Sequence, residues 1–285
     1  MPVKTILLPL CEADEPGPVL ETALSLAQRF GAHLDILYVM RDPLHHRSWA
    51  QLGLSKHLRE TVSRAADINT GARVVQTRQL LEYYCAEAGV PIVDDRVVGG
   101  VSAAWHEITG QEDCILAVRG RLSDLIVLPG PIPVAPPPAV AEAALKSTGR
   151  PVLIAPPRPE PVIGTRIGIG WNGSAQAAHA VGAAMAYISA AEAVTVYTCR
   201  RHEHTEPTPM DLVKYLGWHG VKAQVRTMDA HDPHVGEALL TAAAEDDVNL
   251  LVVGAYSRSR LRELILGGVT EHVMTSAQMP VFMLH

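Results

Sequence analysis

The part of the sequence best equipped for chemistry follows the apolar run Asn249-Leu-Leu-Val-Val253. There the chain reads Gly254-Ala-Tyr-Ser257-Arg258-Ser-Arg-Leu-Arg-Glu-Leu-Ile-Leu-Gly267-Gly268-Val269-Thr270. Glycine directly after a buried strand lets the backbone come close to a ligand, and a helix starting after Gly267-Gly268 would aim its unpaired N–H groups at an anion. Thr270 adds a hydroxyl beside that helix start. Arg258, Arg260 and Arg262 add local positive charge to a chain of net charge -6. These are the parts of a phosphate cradle. The plainer reading of the same spacing is a glycine-capped pair of helices with solvated arginines, and spacing does not separate the two.

Other groupings are weaker. Gly168-Ile-Gly170-Trp-Asn-Gly173 satisfies the G-x-G-x-x-G dinucleotide pattern. In a true dinucleotide site, however, the first glycine follows the strand and an acidic residue closes the second strand. Here Gly168 falls inside the expected strand and Glu192 precedes the next one; Arg200 and Arg201, after that strand, are what would suit a 2′-phosphate. His45 and His46, His202 and His204, and the group Asp229-Ala-His231-Asp232-Pro-His234 carry donors suited to zinc, but polar loop residues and a helix cap at Asp232 explain them equally well. No metal site is assigned. Trp105-His106-Glu107 is expected on a strand, with no nucleophile to accompany it. The sequence has no H-E-x-x-H, G-x-S-x-G or G-x-x-x-x-G-K-(S/T) string, so metalloprotease, serine-hydrolase and P-loop chemistry lack their mechanical parts.

The elements that must position these residues come in two similar sets. Pro156-Pro-Arg-Pro-Glu-Pro161 is an extended, semi-rigid stretch that reads as a linker between units 1–157 and 162–285. Each unit opens on an aliphatic strand, Lys4 to Leu10 and Arg166 to Trp171, followed by an Ala-rich helical pattern. Second strands come next at Leu34 to Val39 and Val194 to Thr198. Continuous apolar runs come later, at Asp124 to Leu128 and Asn249 to Val253, and each unit ends on a proline-led strand, Pro151 to Ile154 and Pro280 to Met283. Strands that are apolar throughout and alternate with helices predict an α/β fold: two tandem open parallel sheets, each Rossmann-like, with helices on both faces. Ligands in such sheets sit beyond the carboxyl ends of the strands.

With these residues in place, the segment from Leu250 to Leu284 resembles the C-terminal signature of the universal stress protein family, G-x2-G-x9-G-(S/T) and then V-(S/T). Gly254 fills the first glycine and Gly267 the third; Ser257 stands at the second, Gly268 replaces the hydroxyl residue, and Val269-Thr270 matches the closing V-(S/T) pair. Ile169-Gly-Trp-Asn172-Gly-Ser174 is similar to the family's first strand end, with Asn172 where nucleotide-binding members carry an adenine-contacting Asp. The resemblance implies an adenine-nucleotide-hydrolase-like fold, two domains packed as an intramolecular dimer through their last strands, and a non-enzymatic stress or regulatory role. It further implies ATP as the ligand of the second domain, with Mg2+ only alongside it, held by Asn172, Gly254, Ser257, Arg258, Gly267, Gly268, Val269 and Thr270. A slow ATPase at the same site and a nucleotide-free interaction module are the alternatives. In the first unit, the prolines of Pro129 to Pro138 remove N–H donors and Glu12 would repel a polyphosphate, so no nucleotide is expected there.

Composition sets the outer limits. The chain has 285 residues, 48% apolar and 19% charged, enough for two moderate cores. The acidic balance argues against nucleic acid and anionic membrane surfaces as partners. An adenine nucleotide, a protein partner and a further copy of the chain remain open. Cys11, Cys85, Cys114 and Cys199 form no C-x-x-C pair and read as reduced core residues, and the short apolar run near the N-terminus lacks signal-peptide character, so a cytoplasmic protein is expected.

Overall fold

The computed structural model describes residues 3–12, 14–40, 56–93, 100–130, 138–230, 234–255 and 268–285. Its first strand, β1 (Thr5–Cys11), is an aliphatic run buried from its second residue onward. Pro16 pre-sets the first turn of helix α1 (Pro16–Phe30), whose buried Val19, Leu20, Ala23, Leu24 and Ala27 repeat at helical spacing. Gly31 closes it in the left-handed region, φ 58°, where a side chain would be strained. The first half continues through β2 (His33–Met40), α2 (Lys56–Ala88), β3 (Ser102–Thr109), α3 (Glu112–Arg119), β4 (Leu125–Leu128), α4 (Pro138–Ser147) and β5 (Val152–Ile154).

Residues 155–165 contain no helix or strand. The second half then repeats the order: β6 (Arg166–Gly170), α5 (Ala175–Ala183), a short α6 (Met185–Ile188), β7 (Ala193–Cys199), α7 (Pro209–Trp218), β8 (Ala223–Met228), α8 (Val235–Glu245), β9 (Leu250–Gly254), α9 (Gly268–Ser276) and β10 (Val281–Leu284). Pro151 and Pro280 stand just outside the strands they precede, because neither can donate to a ladder.

The ten described strands form one sheet in the order β3-β2-β1-β4-β5-β10-β9-β6-β7-β8. All neighbours are parallel except β5 and β10, which run antiparallel with Ile154 opposite Val281 and Val152 opposite Met283. This pairing joins the halves edge to edge, so neither last strand is left as an open edge. Helices cover both faces. Buried residues of α1, α2, α5, α6 and α7 pack on one side, and those of α3, α4, α8 and α9 on the other. Around the join, Phe30 meets Tyr187 edge to face at 4.9 Å, Tyr187 meets Phe282 at 5.9 Å, and the Arg29 guanidinium lies 5.1 Å from the Tyr187 ring.

One polar device recurs in each half. Asp124 Oδ2 accepts from the backbone N–H groups of Lys4 (2.8 Å) and Thr5 (3.0 Å), fixing the start of β1. Asn249 Oδ1 likewise accepts from Gly164 (3.1 Å) and Arg166 (2.9 Å), fixing the start of β6. Asn249 also donates through Nδ2 to the Val162 carbonyl and the Thr165 hydroxyl, and so tethers the segment that connects the halves.

Candidate functional site

In each half the chain leaves its first strand towards one side of the sheet and its fourth towards the other. In the second half these strands are β6 and β9, parallel neighbours from Ile167↔Leu250 to Gly170↔Val253. Helix α5 leaves β6 on one face and α9 packs on the opposite face, so the crevice expected of such a reversal falls at the carboxyl ends of β6 and β9.

The β6 side of this crevice is built by local hydrogen bonding. Asn172 Oδ1 accepts from the Ser174 N–H (3.1 Å), an Asx turn, and the Ser174 hydroxyl accepts from the Ala177 N–H (3.2 Å), capping α5. Gly173 sits between them at φ 74°, and a Cβ there would meet the Glu206 carbonyl at 3.3 Å. Trp171 is buried and donates its indole N–H to the Pro207 carbonyl (2.9 Å), which holds the chain from Thr205 to Pro207 against the strand end. Asn172 therefore shapes the turn with its oxygen. Ser174, Gly173 and Trp171 belong to the framework of the β6 strand end.

Gly254 ends β9. An added Cβ would stand 2.5 Å from the Ala177 nitrogen and 2.6 Å from the Gln176 carbonyl carbon, so the first turn of α5 lies directly on it. Its glycine is required by helix packing, whatever else approaches it. On the far side, α9 begins at Gly268, with Val269 half-buried and Thr270 buried in its first turn. The structure thus places Asn172, Gly254, Gly268, Val269 and Thr270 on the two strand ends and the two helix starts that flank the reversal. Ser257, Arg258 and Gly267 lie outside the described residues, as do Arg260 and Arg262.

Packing also accounts for the dinucleotide-like glycines. Gly168 and Gly170 both lie within β6; a Cβ at the first would meet the Tyr197 ring at 2.8 Å and at the second Val253 Cγ1 at 2.9 Å. Arg200, at the end of β7, pairs across the surface with Asp229 at 3.6 Å, and both side chains are exposed.

Of the histidines considered as metal donors, His45, His46 and His231 lie outside the described residues, as does Asp232. His202 sits 3.4 Å from the Thr205 hydroxyl, His204 is exposed, and His234 adjoins α8 with Glu237 3.3 Å away. Among the described residues, a set of donors close enough to hold a metal ion arises elsewhere: Cys11, Asp14 and Glu112 in the first half, mutually within 4.8 Å. Its spacing in the chain shows no metal pattern, because Glu112 is remote from the other two. Cys11, Cys85 and Cys199 are buried as expected, whereas Cys114 is exposed on α3, where its helix has its solvent side. Burial pushes the Cys85 thiol up to about 11. Glu107, on the edge strand β3, accepts from the Trp105 indole N–H at 2.8 Å, an ordinary surface contact.

No described helix is long and apolar enough to cross a membrane. Residues 165–285 match the sequence model of the universal stress protein family. No curated protein matches the chain. Among solved structures, a universal stress protein from Archaeoglobus fulgidus DSM 4304 superposes with a TM-score of 0.64 at 15% identity, over 98% of this chain and 97% of that one. A functionally unknown protein from Pseudomonas aeruginosa PAO1 superposes with a TM-score of 0.59 at 16% identity, over 99% of this chain and 92% of the other. At such identities the likeness establishes a shared fold, and it runs across both halves.

Proposed function

From the match of residues 165–285 to the universal stress protein family model, we propose that this half binds an adenine nucleotide, ATP, at the reversal between β6 and β9, and that the protein is a non-enzymatic regulator of a stress response. The observation that carries the reading is the pair of helix starts, Ser174–Ala175 and Gly268–Thr270, placed on opposite faces at the ends of neighbouring strands. Helix N-termini carry a partial positive charge, which suits a polyphosphate in an otherwise acidic chain, although at α5 the Ala177 N–H is taken by the Ser174 cap.

The residues present fit that group. Gly268 keeps the entrance of α9 free of a side chain, Thr270 brings a hydroxyl to its first turn, and the Asn172 turn forms the base on the β6 side. Gly254 and Val269 belong to the same wall, and the family signature adds Ser257, Arg258 and Gly267 to the residues that would hold the phosphates. Bound ATP would supply an occupancy signal, with Mg2+ entering only as its counter-ion. The first half contributes the structural partner, through β5.

Calorimetric titration of the full chain with ATP and Mg2+, together with the ultraviolet spectrum of the protein as purified, tests this. Saturable binding that Gly267→Val abolishes is the expected result. No co-purified nucleotide and no binding heat at millimolar ATP overturns it, and unchanged affinity in Gly267→Val overturns the placement. Phosphate released steadily over hours would make the protein an ATPase instead.

A further inference from the structure

We propose that the first half holds a divalent cation of zinc-like character at the carboxyl end of β1, with Cys11, Asp14 and Glu112 as its ligands. The three side chains reach one point from three elements: Cys11 ends β1, Asp14 lies in the turn before α1, and Glu112 opens α3. Each offers a donor atom, and all three atoms lie within 4.8 Å of one another. Around a tetrahedral zinc, with bonds of about 2.0 Å to oxygen and 2.3 Å to sulfur, such atoms would be about 3.3–3.5 Å apart. The bound of 4.8 Å is somewhat wider than that, in a set of one buried thiol and two half-buried carboxylates.

The donors are of mixed class. One sulfur and two carboxylates suit zinc or cobalt better than magnesium or calcium, which prefer oxygen alone. Asp14 is already anchored beside the thiol, because its Oδ2 accepts from the Cys11 N–H at 2.6 Å. The pairing between β1 and β4 is limited to Ile6↔Leu125 and Leu7↔Ile126, ahead of Pro9, which has no N–H to offer a ladder. The equivalent pairing of β6 with β9 continues to the strand end, so the strands of the first half part sooner.

Binding would replace the Cys11 S–H bond by a metal–sulfur bond, and the proton would pass to solvent.

The test uses the full chain stripped with a chelator and titrated with Zn2+ by calorimetry, then with Co2+ as a spectroscopic probe. One equivalent of Zn2+ is expected, with a thiolate-to-cobalt charge-transfer band. Cys11→Ser should abolish the band, Asp14→Asn and Glu112→Gln should each weaken Zn2+ about tenfold or more, and Cys114→Ser should keep both. Glu112→Gln changes a half-buried surface group, so its effect does not depend on core packing. No saturable Zn2+ binding at micromolar protein overturns the proposal, as does a band that survives Cys11→Ser or disappears with Cys114→Ser. Because these residues are in the first half, the result is independent of nucleotide binding in the second.

Discussion

Gly254 at the end of β9 lies so close to the first turn of α5 that an added Cβ would stand 2.5 Å from the backbone nitrogen of Ala177. Backbone, unlike the tip of a flexible side chain, cannot swing aside. Gly254→Ala should therefore displace α5 from the sheet, at a cost of about 1–3 kcal/mol, and carry the Asn172–Ser174 turn with it. Chemical denaturation and ATP titration of the same variant should both show a loss. A variant of unchanged stability would mean that α5 has room to move.

Asn249 and Asp124 fix equivalent strand starts with different chemistry. Asn249→Asp keeps the acceptor but removes the two bonds donated to Val162 and Thr165, and sets a carboxylate against a carbonyl. It should cost about 2 kcal/mol. Asp124→Asn retains an oxygen for Lys4 and Thr5 and should cost under about 1 kcal/mol. Urea melts of the two variants side by side check the order; an Asp124 variant that suffers more would show that the tether to the connecting segment matters little.

Tyr187 separates packing from hydrogen bonding at the join between the halves. Its hydroxyl is buried without a partner among the described residues, and burial pushes the phenol above its usual range. Tyr187→Phe keeps the ring contacts with Phe30 and Phe282 and should leave stability unchanged or raise it by about 1 kcal/mol. Tyr187→Ala should cost about 3–5 kcal/mol. Thermal melts of both variants are the measurement.

Asp246 gives the second half an acid-sensitive contact. Its carboxyl is held below the usual range first by the Tyr197 hydroxyl, which donates to it at 2.6 Å, and then by Arg226 at 2.8 Å. A depressed carboxylate stabilises the fold above its unfolded value of about 3.9 and loses that contribution as pH falls through the lower folded value. Asp246→Asn should therefore be less stable than the parent at neutral pH, by about 1–3 kcal/mol. The difference should shrink as the pH is taken below about 4. A gap that stays constant with pH would assign the effect to packing.

Much of this was legible in the chain. Apolar runs such as Asn249 to Val253 cannot face water on either side, so helices on both faces of a parallel sheet were dictated by solubility. The repeat was readable from the shared order of strand, Ala-rich helix and proline-led last strand. Proline's missing N–H explains why Pro151 and Pro280 stop one residue short of the strands they introduce. Most of the candidate nucleotide residues were nominated from one stretch, Gly254 to Thr270, because the composition of a stretch is a local property.

Contacts between distant segments were not local and could not be read that way. Gly254 reads as a ligand-facing glycine and Gly168 as a strand residue, but only the folded chain shows what fills each Cβ position: Ala177 at Gly254, Tyr197 at Gly168 and Val253 at Gly170. The meeting of Cys11 and Asp14 with Glu112 depends on α3 crossing the sheet from β3 to β4, and its residue spacing carries no metal pattern. The sequence by itself determined which faces must be buried and where turns must form, because those depend on hydrophobicity and backbone freedom. Which side chains share a point in space was decided by the strand order, and that order is set by the packing of the whole sheet.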